Sequence, residues 1–340
     1  MKVLVNGIGN IGTTILNVIH EYKQEFGIET IYGLKNTSIN VWNRAELDLL
    51  IEKGIKICAR GTSEFVNLDS VIDEIDYIFD CTANGFGLSN KEWYSKTKNL
   101  KACSAQGSEK GFGIPFMSGL NNSVIKKEKF VQIVSCNTHA LAAILNTFVS
   151  NNFDQLEEAD FVIVRRSEDL GNHERLVSAN VVSRHLSNSV GTHHAIDVID
   201  LYKTLGIELN IQSSDITTPS QLMHVVRFNL KLETGISAHE IDRLIEENPY
   251  LAISKKFDSN VIFELGRRYG PFGRLYAHAI VNSSNLLIQE EGRSIKGWAF
   301  IPQEGNTILS TIDAFMLQLD VDNRTQIMDK IRKRYLKQEW

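Results

Sequence analysis

The sequence predicts an α/β protein in two parts: a parallel sheet with helices on both faces, then an α+β part built on a largely antiparallel sheet. Three observations lead there. Short apolar runs alternate with helical patterns from Lys2 to Val134. A glycine-spaced turn follows the first of those runs. Farther on, Gln221 to Glu233 alternates apolar and polar residues with a period of two, the mark of a strand with one buried face. At 340 residues the chain exceeds the usual size of one core, so more than one domain is expected.

Taken in order, Lys2 to Val5 reads as a strand, Gly12 to Tyr22 as a helix and Ile28 to Leu34 as a second strand. Ile75 to Phe79 and Lys101 to Ser104 are further short runs of strand type. This βαβ rhythm gives a mostly parallel sheet, and ligands of such sheets bind at the carboxyl ends of the strands. The loops after Val5, Leu34, Asp80, Ser104 and Val134 should therefore share one crevice. The first of them is Gly7-Ile8-Gly9-Asn10-Ile11-Gly12, a GxGxxG turn between strand and helix. There Gly7 allows the tight turn, Gly9 lets a pyrophosphate approach the backbone, and Gly12 lets helix and strand pack closely, so a Rossmann-type dinucleotide site is expected. An acidic residue ending the second strand would hold the ribose hydroxyls of NAD, but the chain has Gly33-Leu34-Lys35-Asn36-Thr37-Ser38. Lys35 and Thr37 admit a 2′-phosphate, so NADP or NAD is expected; a solvated loop lysine is the competing reading.

The second part shows longer alternating segments, Phe161 to Arg165, Leu176 to Arg184 and Gln221 to Glu233. In the last, Leu222, His224, Val226, Phe228, Leu230 and Leu232 share one face. Helical patterns follow at Ala238 to Glu247 and Asn306 to Leu319, and the amphipathic C-terminal stretch is expected to return to the first domain. The expected division is 1–138 for dinucleotide binding, 139–301 for catalysis and substrate, and 302–340 for the returning helical segment.

With 43% hydrophobic residues the chain can bury two cores. Its net charge of −5 is spread without a basic run, which disfavours nucleic acid or an anionic membrane as partner and leaves small-molecule chemistry. The N-terminus MKVLVNGIG reads as neither signal peptide nor membrane span. Cys58, Cys81, Cys103 and Cys136 show no CxxC spacing, so reduced thiols in a cytoplasm and no metal site are expected.

Cys136 stands out among the four. The apolar run Val131 to Val134 stops at Ser135-Cys136-Asn137-Thr138, and a helical pattern, Ala140 to Phe148, follows at once. A cysteine in the first turn of a helix meets unpaired N–H groups and the positive end of the helix dipole, which favour the thiolate. The same context suits a buried small hydrophobe, and the local sequence leaves both readings open. His224 shares the apolar face of its strand and is either a packed core histidine or a functional one. In Gly191-Thr192-His193-His194 the two rings diverge, so one would face a ligand while the other packs. Metal binding by the pair is disfavoured, because no carboxylate or cysteine stands at ligand spacing beside it. Arg165-Arg166 sends one guanidinium to each side, toward a phosphate or cofactor amide or into surface ion pairs.

Taken together, the glycine loop, Asp80-Cys81-Thr82, Gln106-Gly107-Ser108-Glu109-Lys110, Ser135-Cys136-Asn137-Thr138, Arg165-Arg166, His193-His194 with Asp197-Val198, Leu222-Met223-His224 and Gln303-Glu304 follow the order of archaeal-type (type II) glyceraldehyde-3-phosphate dehydrogenase, which the chain resembles over nearly its whole length. The resemblance implies that Cys136 is the nucleophile and His224 the base. It also implies that Ser135, Asn137, His193 and His194 contact substrate, and that Asn10, Ile11, Gly107, Arg165 and Gln303 contact the nicotinamide cofactor. It further implies a small phosphorylated aldehyde and inorganic phosphate as partners, and a homotetramer.

The chain departs from the family at three places. His139-Ala140 replaces a Thr-Gly, Ala195-Ile196 replaces a Gly-Pro, and Ser167-Glu168-Asp169-Leu170 replaces a run of small residues. These changes ring the substrate pocket. Three functions are therefore carried forward: NAD(P)-dependent oxidation of glyceraldehyde 3-phosphate to 1,3-bisphosphoglycerate through a cysteine hemithioacetal and thioester; the same chemistry on another small aldehyde or acyl phosphate; and a non-catalytic dinucleotide-binding or redox-sensing protein.

Overall fold

The computed structural model describes residues 1–41, 43–60, 64–107, 109–149, 153–167, 181–182, 185–220 and 222–340. Ser108, Gln221, the Glu168-Asp169-Leu170 run and nearly all of the strand expected over Leu176 to Arg184 lie outside the described residues. The chain divides into two compact units, Met1–Val134 with Ile308–Asp329, and Ser135–Thr307 with Lys330–Trp340.

The first unit contains β1 (Lys2–Asn6), α1 (Asn10–Glu21), β2 (Thr30–Leu34), α2 (Arg44–Glu52), β3 (Lys56–Ala59), β4 (Val66–Asn67), α3 (Leu68–Val71), β5 (Tyr77–Asp80), α4 (Phe86–Lys96), β6 (Ala102–Gln106), β7 (Ile114–Phe116) and β8 (Phe130–Ile133). Among the described residues its sheet runs β4-β3-β2-β1-β5-β6-β8-β7, and every pairing is parallel. The strand order reverses direction beside β1, which is where open parallel sheets bind ligands. The carboxyl ends of β1, β2, β5, β6 and β8 consequently share one edge, as the sequence led us to expect. That edge is tied by polar side chains: Asn36 Nδ2 donates to Asn6 Oδ1 at 2.7 Å, Asn6 Nδ2 donates to the Tyr94 hydroxyl at 2.6 Å, and Tyr94 donates to Asp80. A later segment of the chain, α9 (Ile308–Gln318), completes the core of this unit. Phe315 meets Phe26 and Tyr77 edge-on, with ring centroids 5.4 and 5.0 Å apart.

The second unit contains α5 (Cys136–Phe148), β9 (Leu156–Arg165), β10 (Val181–Val182), α6 (His193–Lys203), β11 (Ile211–Thr217), β12 (His224–Leu232), α7 (Ala238–Glu247), β13 (Leu251–Ser254), α8 (Ser259–Tyr269), β14 (Ala279–Asn282), β15 (Leu287–Gln289) and β16 (Ser294–Ile301). In chain order, α10 (Arg324–Tyr335) follows α9, with its last residues, from Lys330, in this unit. The described strands run β10-β11-β9-β12-β16-β14-β13, with β15 on β16. Pairing is antiparallel except at β11–β9 and β13–β14, so the sheet is largely antiparallel, in agreement with the fold class the sequence predicts. In β12 the residues His224, Val226, Phe228, Leu230 and Leu232 are all buried. The alternation that marks this strand in sequence thus separates its two faces in three dimensions. Phe228 stacks on Phe148 of α5, 5.9 Å between centroids, which fixes that helix against the sheet. Among the described residues, no helix is long and apolar enough to cross a membrane.

Candidate functional site

In the first unit the glycine loop has the backbone that its sequence requires. Gly7 has φ +97°, and a Cβ there would stand 2.7 Å from the carbonyl oxygen of Cys81. At Gly12 a Cβ would stand 1.9 Å from the oxygen of Gly7, so helix and turn touch backbone to backbone. Gly9 differs, since nothing lies within 4 Å of where its Cβ would be. This open approach leads to the start of α1, whose N-cap supplies no side-chain hydrogen bond. By contrast, the start of α4 is filled by the buried Glu109 carboxylate, which accepts the N–H groups of Gly85 and Leu88 at 2.5 and 2.9 Å. The start of α1, next to the open approach at Gly9, therefore fits an anion, and the residues fit a dinucleotide pyrophosphate. Asn10 and Ile11 open that helix. Gly107, with φ +80°, follows β6, while Lys35, half-buried, and Thr37, exposed, follow β2.

In the second unit Cys136 is the first residue of α5. Its neighbour Ser135 is the N-cap, with ψ of 164° and a hydroxyl that accepts the Thr138 N–H at 3.2 Å. A Ser-x-x-Thr start followed by an apolar run is why the helix begins here. Asn306 Nδ2 donates both to the carbonyl of Cys136 at 2.9 Å and to that of His278 at 3.0 Å, which pins the first turn. His139, one of the departures from the family pattern, is buried in the same turn and bonds through Nδ1 to the Ser135 carbonyl at 3.0 Å. It meets His278 edge-on at 4.8 Å, and His278 stacks on Tyr250 at 4.7 Å. That departure thus braces the helix start. Cys136 is half-buried, whereas Cys58 and Cys103 are sealed in the core, where burial pushes the Cys58 thiol up to about 12 and Cys103 well above its ordinary value.

Next to Cys136 in sequence, a chain of polar contacts begins at Asn137. Asn137 Nδ2 lies 3.4 Å from His194 Nδ1, and His194 Nε2 lies 3.1 Å from Asp215 Oδ2. Arg165 Nη1 reaches the same carboxylate at 3.3 Å. His193 stands half-buried with its ring centroid 3.9 Å from that of His194, so in the first turn of α6 the two rings lie against each other and do not diverge as expected; burial and that neighbouring ring lower its pKa. Arg166 leads the other way: its guanidinium is buried on Glu304 at 2.6 Å, and its backbone N–H donates to His224 Nδ1 at 2.9 Å. The Gln303 amide completes the His224 surroundings, with Oε1 3.1 Å from the His224 backbone N–H and Nε2 2.7 Å from ring Nε2.

This arrangement bears on the role of base expected of His224. A backbone N–H only donates, so Nδ1 must accept, and a neutral ring then carries its hydrogen on Nε2. The Nδ1 lone pair is then the ring's acceptor, and it is engaged by the Arg166 N–H. Burial and the Arg166 guanidinium act in the same direction and hold His224 well below the ordinary histidine pKa. Across the second contact two N–H groups face each other, and an oxygen placed there would relieve the mismatch.

The structure thus joins Asn137, His194, Asp215 and Arg165 by polar contacts, with the His193 ring against His194 and with Ser135 and Cys136 beside Asn137 at the start of α5; His224 and Gln303 meet each other and the backbone of Arg166, the residue after Arg165. Sequence reasoning missed Asp215 and Asn306, and it named Glu304 only as part of the Gln303-Glu304 motif. The signal for Asp215 was its place in Ile211–Thr217, where Ser213 and Asp215 occupy the buried positions of an alternating strand.

No protein-family model matches the chain. Among curated proteins it is similar to the glyceraldehyde-3-phosphate dehydrogenase of Methanobacterium bryantii, 27% identical over 94% of each chain. It is likewise similar to that of Sulfolobus acidocaldarius, 25% identical over 96% of this chain and 94% of the relative, and to that of Pyrococcus furiosus, 24% identical over 98% of each. Along nearly its full length, the chain resembles the archaeal-type glyceraldehyde-3-phosphate dehydrogenases.

Proposed function

We propose that the protein is an NAD(P)-dependent aldehyde dehydrogenase that oxidises a small phosphorylated aldehyde, by default glyceraldehyde 3-phosphate, through a covalent cysteine intermediate. The observation that carries this reading is the placement of Cys136, half-buried as first residue of a capped helix and flanked by the Asn137–His194–Asp215 chain. The relatives' names support the reaction class.

Cys136 attacks the aldehyde carbon through sulfur, and the carbonyl oxygen becomes the oxygen of a hemithioacetal. Backbone N–H groups at the start of α5 and the Asn137 amide stabilise the charge that develops on that oxygen. His224 serves as a catalytic residue through Nε2–H, with the substrate oxygen taking the place opposite the Gln303 amide. The dinucleotide, when bound at Gly7, Gly9, Asn10, Ile11 and Gly12, supplies the hydride acceptor. Loss of hydride from the hemithioacetal carbon leaves a thioester on Cys136, which inorganic phosphate or water then cleaves. Ser135, His193 and His194 line the substrate side, Arg165 and Gln303 the nicotinamide side, and Gly107 the sheet edge. Lys35 and Thr37 donate to the 2′-phosphate when NADP is the dinucleotide.

A second reading keeps this chemistry and changes the aldehyde. The motive for it is Ala195, a buried residue directly after the histidine pair, where the resemblance implies glycine. A spectrophotometric screen for NAD(P)H formation across small phosphorylated and unphosphorylated aldehydes, with and without phosphate, tests both. Phosphate-dependent turnover of glyceraldehyde 3-phosphate is the expected result, selective turnover of another aldehyde selects the second reading, and no turnover with any aldehyde refutes both.

A further inference from the structure

We propose that Asn306 is a positioning residue for the reaction at Cys136. By holding the Cys136 carbonyl it aims the Asn137 backbone N–H at the oxygen that takes up charge when the sulfur bonds to a carbonyl carbon. The inference rests on the covalent role of Cys136 proposed above.

The first turn of α5 closes only at His139, whose N–H reaches the Ser135 carbonyl at 2.9 Å, so the N–H groups of Cys136, Asn137 and Thr138 find no carbonyl within the helix. Ser135 Oγ takes that of Thr138 at 3.2 Å. That of Asn137 meets no acceptor among the described residues. Its nitrogen is linked to Cys136 Sγ through only the Cys136 carbonyl carbon, Cα and Cβ, so this N–H stands close to any group bonded to the sulfur. Its direction is set by the other end of the same peptide unit, because C=O and N–H of a planar trans peptide point opposite ways. Asn306 Nδ2 grips that C=O at 2.9 Å and also the carbonyl of His278, the residue before β14, at 3.0 Å. One side chain thereby ties the helix start to the sheet. Both partners are carbonyls, which only accept, so the amide nitrogen must face them. Oδ1 then faces away, without a hydrogen-bond partner, on a fully buried residue. An unpaired buried acceptor lowers stability, and an apolar side chain would avoid that loss. The chain keeps an amide whose donor side serves the first turn. In the step itself a thiolate sulfur forms its bond to the carbonyl carbon, the π pair moves to the oxygen, and the Asn137 N–H donates to that oxygen; nothing is oxidised or reduced.

The test compares two reactions of the same sulfur in the intact protein, without NAD(P) or aldehyde. p-Nitrophenyl acetate acylates a thiolate through a charged tetrahedral oxygen, then releases p-nitrophenolate and leaves an acetyl thioester. Iodoacetamide alkylates the thiolate with loss of iodide and forms no such oxygen. The p-nitrophenolate burst and peptide mass spectrometry report the two rates, with Cys136→Ser as the blank. In Asn306→Ala we expect acylation to slow by about 10- to 100-fold while alkylation stays within about threefold of the parent. A residue that only held the fold together would change both rates alike. Circular dichroism melts report folding; should Asn306→Ala unfold at the assay temperature, Asn306→Val, which fills more of the space, decides on the same readings. Equal slowing of both reactions overturns the proposal. So does unchanged acylation, or a parent protein whose Cys136 is alkylated but not acylated. Failure of the aldehyde screen with this pattern intact removes the substrate class and leaves the role of Asn306 standing. A Cys136 that neither reagent modifies removes the covalent reading and this inference together.

Discussion

At the scale of single residues, the site is decided by which atoms can accept and which can donate. His224 and His278 are both buried and both held well below the ordinary histidine pKa, chiefly by burial. The unfolded chain takes up protons at these positions from about pH 6.5 downward, while the folded chain does not. Their contribution to stability is complete above that pH and is lost as pH falls below it. Urea midpoints should therefore drop between pH 7 and pH 5.5, a window above the range where ordinary carboxylates titrate; a flat profile would contradict the neutral assignment. The sequence made Cys136 and His224 visible because a capped helix start and a strand alternation frame them. Asp215 stayed hidden, since a lone inward carboxylate shows its purpose only when His194 and Arg165 arrive from distant parts of the chain.

At the scale of elements, helix starts do most of the functional work. Ser135 caps α5 through the Thr138 N–H, so Ser135→Ala should cost about 1 kcal/mol in denaturant unfolding, and an unchanged midpoint would remove the cap from the account. The glycine loop allows a sharper contrast. In Gly9→Ala the new methyl meets no protein atom, so stability should hold while dinucleotide affinity falls by about tenfold, the equivalent of one charged hydrogen bond. Gly12→Ala drives a Cβ to 1.9 Å from the Gly7 oxygen and should lower both stability and affinity. Calorimetric titration of both variants checks the pair of outcomes, and equal behaviour would contradict it. Strand alternation made β12 legible, and Ala238–Glu247 was read to its exact ends from its helical pattern. The N-terminal half of β9 was not, because Leu156-Glu157-Glu158-Ala159-Asp160 mixes charge into a strand whose partners lie far along the chain.

At the scale of the whole molecule, the chain leaves its first unit at Val134 and enters it again at Ile308, so that α9 supplies the aromatic Phe315 to a core begun by β1 and β5. The amphipathic pattern of the C-terminal stretch signalled a helix there. Its division, with Lys330–Trp340 in the second unit, depends on contacts such as the Trp340 N–H to the Ile253 carbonyl at 2.9 Å, which no local pattern announces. We propose a homotetramer on the strength of the resemblance; sedimentation should give four times the 38.3 kDa chain mass, and a 38.3 kDa species at micromolar concentration would contradict it. The claim on which the rest depends is that substrate carbon becomes bonded to the sulfur of Cys136. The most direct measurement is mass spectrometry of the protein after reaction with the best aldehyde from the screen and NAD(P) in the absence of phosphate. The account predicts an acyl group on the Cys136 peptide that phosphate discharges. NAD(P)H formation with no adduct on Cys136, or undiminished turnover by Cys136→Ala, would contradict it.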